Sequence, residues 1–145
     1  MDAPTDDPDC EFCAVVAGSA PGHVVHADDH VVAFLDRLPL FHGHTLVVPR
    51  HHHVTLVDLP ADQVDPYFSA VQRVTRAVQA ATGSAGTFVA MNNTVSQSVP
   101  HLHTHVVPRN RKDGLKGFFW PRTRYDDDEH MARVAAQVRA AVDDT

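Results

Sequence analysis

The run His101-Leu102-His103-Thr104-His105-Val106-Val107-Pro108 constrains this chain more than any other segment. Its alternation is that of an extended strand, in which successive side chains point to opposite faces. Read that way, His101, His103 and His105 share one face, while Leu102, Thr104 and Val106 turn the other way. At a rise of about 3.3 Å per residue, neighbouring imidazoles stand about 6.6 Å apart and the outer two about 13 Å. No small group is held by all three, so two adjacent rings can share a phosphate and the third is free for another task. An imidazole titrating near pH 6.5 is a nucleophile when neutral and a phosphate ligand when cationic, which suits phosphoryl chemistry without a catalytic metal.

Such a strand needs a sheet around it. From His23 to Asp36 two short apolar runs flank Ala27-Asp28-Asp29 as a hairpin, and Thr45-Leu46-Val47-Val48 reads as a buried strand stopped by Pro49. Val64, Phe68, Val71, Val74, Val78 and Ala81 recur at helical spacing and close at Gly83, with Pro66 early enough to be tolerated. Thr87 to Met91 and His103 to Val107 are β-rich. Asp126 with Glu129 predicts a capped last helix carrying Met131, Val134 and Val138. At 145 residues the chain fits a single domain, 1–145, with a core over about 10–109 and a basic loop and C-terminal helix over 110–145. No apolar run approaches the roughly 18 residues that cross a bilayer, and the opening MDAPTDDPD lacks a basic, then apolar, leader. A cytoplasmic protein without membrane partners is the expectation.

A formal net charge of −6 argues against nucleic acid as partner. The charge is uneven, however: six of the twelve basic residues lie between Arg109 and Arg124, against one acid, Asp113. Following a histidine cluster, that stretch favours attraction of an anionic substrate. Ahead of the cluster, Asn92, Asn93, Ser96, Gln97 and Ser98 supply uncharged hydrogen-bonding groups of the kind that stabilise charge developing on phosphate oxygens.

Four blocks in order resemble the histidine triad (HIT) family of nucleotide hydrolases and transferases: Cys10-Glu11-Phe12-Cys13, Phe34-Leu35-Asp36, Gly43-His44-Thr45-Leu46-Val47-Val48-Pro49-Arg50, and Gln97-Ser98-Val99-Pro100 running into the histidine row. The resemblance implies an α+β fold, with an antiparallel sheet, a long central helix, a C-terminal helix and a two-fold homodimer. It implies that His103 attacks the α-phosphorus of a nucleotide conjugate, with purine as the base, and that water then releases the nucleoside monophosphate. In the same reading His105 donates to a nonbridging oxygen, Gln97 and Ser98 touch the phosphate or leaving group, Asp36 accepts from the ribose, and His44 supports the site. A carbonyl of the 101 region would orient the His103 ring. Asn92 and Asn93 are both candidates for phosphate contact. Many relatives carry a glycine-rich loop before the glutamine, whereas Asn93-Thr94-Val95-Ser96 has no glycine. Gly117-Phe118-Phe119-Trp120-Pro121 lengthens the tail and reads as core or dimer contact rather than a base platform.

Cys10-x-x-Cys13 has the spacing of half a tetrahedral zinc site, and His51, His52, His53 and His101 are available to complete it. The resemblance selects His52 and His101, giving a closed, structural Zn2+ site, with His51 and His53 as rivals. Two other classes compete with the nucleotidyl enzyme. One is a hydrolase whose triad itself ligates a metal, and the other is a nucleotide-binding protein without catalysis.

Overall fold

The computed structural model describes residues 6–115 and 122–145, so Lys116 and the aromatic segment Gly117-Phe118-Phe119-Trp120-Pro121 lie outside the described residues. The chain up to Asp113 forms one compact unit and Gly114–Thr145 a second. In the first, β1 (Val24–Ala27), β2 (Val31–Leu35), β3 (Thr45–Pro49), β4 (Gly86–Ala90) and β5 (Thr104–Arg109) form one antiparallel sheet in the order β1-β2-β3-β5-β4. Helix α1 spans Glu11–Ala17, and α2 spans Ala61–Thr82. The second unit holds α3, Asp128–Asp143. Among the described residues no helix is long and apolar enough to cross a membrane. The fold is the α+β architecture expected, with one helix more than the sequence suggested.

β2 and β3 are buried on both faces, so their side chains sort by parity into two cores. Val31, Ala33 and Val47 join Leu102, Val106 and the α2 residues Tyr67, Ala70, Val71, Val74 and Val78. Val32, Phe34, Leu46 and Val48 pack with Cys10, Phe12 and Cys13 on the opposite face. Each buried valine, leucine or phenylalanine among them contributes about 1.5–3 kcal/mol. Val71, Val74 and Val78 of α2 pack as expected, but the first turns present a different face: Val64 and Phe68 are about two-fifths exposed, whereas Tyr67 is 1% exposed. The Tyr67 hydroxyl donates to the Val47 carbonyl at 2.9 Å and meets Thr104 Oγ1 at 2.6 Å, which turns the helix to seat its tyrosine.

Four further details differ from the sequence reading. α1 was not foreseen, because seven residues rich in β-branched valine are a weak helix in isolation. Cys10 caps it, its sulfur accepting from the Cys13 amide at 3.4 Å, and Gly18 ends it in the left-handed region. β5 begins at Thr104, after two of the three histidines, and runs through Pro108 to Arg109. Beyond Val106 that strand pairs with β4 alone, so a proline there meets an open edge on its other side. α3 is capped by Asp127, whose carboxylate accepts from the His130 amide, one residue later than the Asp126 start expected.

Candidate active site

The sheet register assembles the site. His105 pairs with Leu46, and Leu35 pairs with Thr45, so the next residues outward, Asp36 and His44, close the β2–β3 connection through Asp36 N–H to the His44 carbonyl at 2.9 Å. His44 stands two residues from Leu46 on the same face, diagonal to His105, where cross-strand side chains meet. Gly43 makes the entry possible at φ +103°; a Cβ there would lie 2.7 Å from Thr82 Cγ2. The alternation expected for the triad survives although β5 starts late: Leu102 and Val106 join the α2 core, and the His103 and His105 rings lie side by side, 5.0 Å between centroids.

Hydrogen bonds fix the tautomer of each ring. A carbonyl only accepts, so His103 Nδ1, 2.7 Å from the His101 carbonyl, carries a proton, and in the neutral ring Nε2 is the lone-pair nitrogen. The His105 side is reversed. The Leu40 amide donates to His44 Nδ1 at 3.0 Å, which leaves the proton of neutral His44 on Nε2. That Nε2 lies 3.0 Å from His105 Nδ1 and 3.6 Å from Asp36 Oδ2. His105 Nδ1 is therefore the acceptor, and His105 Nε2 carries a proton. Both rings are held neutral: burial pushes His105 down to about 4, with His103 and His44 adding to the shift, and burial also lowers His44 against the opposing pull of Asp36. Two adjacent imidazoles thus present opposite chemistry, a lone pair on His103 and an N–H on His105.

These rings border a cavity of about 930 Å³. Phe12 and Val15 of α1, Phe34, Leu46 and Val99 make its apolar wall, and Asp36 and Ser98 add polar groups beside the histidines. Among the described residues that line it, Arg37 is the one arginine or lysine. The sequence offered no signal for Arg37, and Phe12 was hidden between two cysteines that read as metal ligands.

The structure brings Asp36, His44, Ser98, His103 and His105 together, but the other polar candidates are engaged in shaping the loop that carries Ser98. Gln97 accepts from the Thr94 amide at 2.8 Å and donates to the Val54 carbonyl at 2.6 Å. Asn93 accepts from the Leu56 amide, and Asn92 donates to the Ser96 carbonyl. None of the three lines the cavity. The loop turns without glycine by placing Thr94 at φ 70° and Ser96 at φ 59°, a conformation that costs non-glycine residues energy and needs such bracing. Arg109 lies on β5 four residues past His105, and its guanidinium makes a two-pronged pair with Asp113.

His101 turns to the other end of the row. Its Nε2–H donates to the Pro49 carbonyl at 2.9 Å, so Nδ1 is a free lone pair. That atom lies 3.4 Å from Cys10 Sγ and 3.5 Å from Cys13 Sγ, and His52 Nδ1 lies 3.4 Å from Cys13 Sγ. All four ligand atoms fall within 4.8 Å of one another. In a tetrahedral zinc centre, sulfur and nitrogen ligands are separated by about 3.6 Å, so the residues present fit that ion. The Pro49 carbonyl supplies the outer hydrogen bond that metal-binding histidines characteristically make. Burial raises the Cys13 thiol to about 11, so that thiol keeps its proton at neutral pH unless a cation replaces it. His51 is exposed, and His53 is buried elsewhere, its carbonyl accepting from the Leu102 amide.

The HIT domain family profile matches residues 17–112. Protein hit of Bacillus subtilis is 37% identical over 120 residues, covering 81% of this chain and 82% of the relative. An adenylylsulfatase of Arabidopsis thaliana is 36% identical over 109 residues, 74% of this chain and 55% of the relative. An adenosine 5'-monophosphoramidase of Candida albicans is 27% identical, with 83% of each chain covered. A solved HIT family structure from Bacillus subtilis superposes with a TM-score of 0.83 at 34% identity, covering 91% of this chain and 96% of the other. A zinc-bound histidine triad protein from Mycobacterium smegmatis gives a TM-score of 0.69 at 35% identity, covering 92% and 97%.

Proposed function

The chain belongs to the HIT domain family, and from that premise we propose that it is a nucleotidyl hydrolase or transferase acting at the α-phosphate of nucleotide conjugates. The observation that carries the reading is the opposed pair of tautomers on His103 and His105. The His103 Nε2 lone pair attacks phosphorus as the bond to the leaving group breaks, giving a nucleotidyl-histidine. An amine leaving group takes a proton from the Ser98 hydroxyl, which solvent restores, whereas sulfate or polyphosphate departs as an anion. Water then attacks the same phosphorus, the phosphorus–nitrogen bond breaks, and the nucleoside monophosphate is released. His105 donates its Nε2–H to a nonbridging oxygen, the charge that grows in each transition state. Ser98 donates toward the leaving atom, and Asp36 accepts from the ribose, its Oδ1 already holding the Leu38 amide at 2.9 Å. Gln97, Asn92 and Asn93 act through the shape of the Ser98 loop.

The relatives' names suggest the conjugates to test: phosphoramidates, adenylyl sulfate and, by the same chemistry, dinucleoside polyphosphates. Cys10, Cys13, His52 and His101 would hold a zinc ion, which supplies a cross-link between α1 and the sheet rather than an acid at phosphorus. A triad that ligates one metal is the weaker reading, because His101 joins the cysteines, His105 joins Asp36 and His44, and His103 joins neither group. A purine base, a two-fold dimer, a cytoplasmic location and one domain over 1–145 belong to the same proposal.

The test is His103→Ala assayed on all three conjugates. Turnover should fall by at least about 10³-fold, with AMP affinity within about threefold by calorimetry. Comparable turnover by the variant would remove the proposed nucleophile.

A further inference from the structure

The metal group and the nucleophile are not separate features. His101 belongs to both: its side chain is one of four ligands, and its backbone carbonyl holds His103 Nδ1–H at 2.7 Å. Phe12 is a second link. It lies between the two cysteines on α1, is 6% exposed, and sets its ring edge-on to His103 at 5.1 Å and to His101 at 6.1 Å. It also packs on Phe34 at 5.4 Å and lines the cavity with Val15 of the same helix. With seven residues, α1 is too short to persist without tertiary anchors. Its anchors are this aromatic contact and the cysteines that open it.

We propose that Phe12 is a positioning residue for His103 and that it transmits the state of the Cys10–Cys13–His52–His101 group to the reaction centre. Ligation holds the four side chains at their close separations, and so holds α1 and the His101 backbone. The Phe12 ring then walls off one side of the His103 imidazole, while the His101 carbonyl keeps its proton on Nδ1. When the group is unligated, α1 loosens, Phe12 withdraws, and the His103 ring samples other orientations in which Nε2 is no longer the free nitrogen. The same movement removes a wall of the nucleotide cavity. The part that concerns turnover rests on the reaction proposed above, whereas the coupling itself does not.

The experiment reads the ring nitrogens of the whole chain by long-range ¹H–¹⁵N spectroscopy, zinc-loaded and after chelation. Loaded protein should show His103 as a single Nδ1–H tautomer, and chelated protein should show its two nitrogen shifts moved toward each other. His105, held by His44, should keep its Nε2–H pattern in both. Phe12→Leu, still carrying one zinc per chain, should show the averaged His103 pattern and lose kcat about 10-fold with KM within about threefold. Phe12→Met is the second variant if Phe12→Leu does not retain zinc. An unchanged His103 spectrum after chelation would overturn the coupling, and an unchanged spectrum in a zinc-loaded Phe12 variant would overturn the role of Phe12. Absence of turnover on every conjugate, with the spectral coupling present, would instead sink the proposed reaction.

Discussion

Two clusters flank His103, and both gather metal-binding side chains with ligand atoms within 4.8 Å: Cys10, Cys13, His52 and His101 on one side, Asp36, His44 and His105 on the other. Their residue inventories look alike, but their outer hydrogen bonds set them apart. His101 gives its proton to the Pro49 carbonyl and turns a bare Nδ1 to the sulfurs. His44 receives the Leu40 amide and so turns an N–H, not a lone pair, to its neighbours. The first cluster turns sulfurs and imidazole nitrogens toward one another, and in the second His44 donates to His105, whose own Nε2–H ends the line at the cavity, with Asp36 as an acceptor beside His44. A backbone carbonyl in one place and a backbone amide in the other decide which histidine turns a lone pair to its neighbours and which turns an N–H.

The largest test of that difference replaces both cysteines. Cys10→Ser with Cys13→Ser should take zinc from one per chain to none by elemental analysis. The melting temperature should fall by roughly 5–10 °C, the equivalent of about 2–4 kcal/mol. Zinc retained at one per chain would mean that the Asp36 cluster binds metal, and the contrast would be lost. His44→Ala cuts the donor line instead. It should lower kcat about 10- to 100-fold with KM within about threefold, and leave zinc content at that of the unaltered chain. Loss of zinc in that variant would show that the clusters are not independent in this direction.

The smallest effect is on pH dependence. His44 and His105 have folded-state pKa values below the ordinary 6.5, His105 at about 4. The unfolded chain therefore takes up protons first as pH falls. The stability these rings contribute is complete above about 6.5 and is lost on descent toward about 4. Urea midpoints measured across that window should decline, and His44→Asn should flatten the decline. A midpoint that rises on acidification would contradict buried neutral rings.

Much of this arrangement is legible in the sequence because it depends on parity. The period of two at His101 to Val106 assigns each side chain to a face whether or not the hydrogen-bonded ladder has begun, so the histidine face stands although β5 starts at Thr104. The sequence points to His44 through the family resemblance alone; its nearness to His105 follows from the register that pairs Leu46 with His105. What stays hidden depends on single contacts. The turn of α2 follows from one buried tyrosine hydroxyl, which apolar spacing does not encode. α1 exists by virtue of its anchors rather than its propensities. Asn92, Asn93 and Gln97 each brace a left-handed loop with one or two hydrogen bonds, and a polar composition reads the same whether such groups face a ligand or the backbone.

The proposed reaction requires a bond between His103 Nε2 and phosphorus. The most direct measurement is intact-protein and peptide mass spectrometry after acid-free, alkaline quench of a brief reaction with adenosine phosphoramidate, conditions in which phosphorus–nitrogen bonds survive. One added adenylyl group located on His103, and absent from His103→Ala, is the predicted result. Turnover without any adduct, or an adduct on another residue, would contradict it.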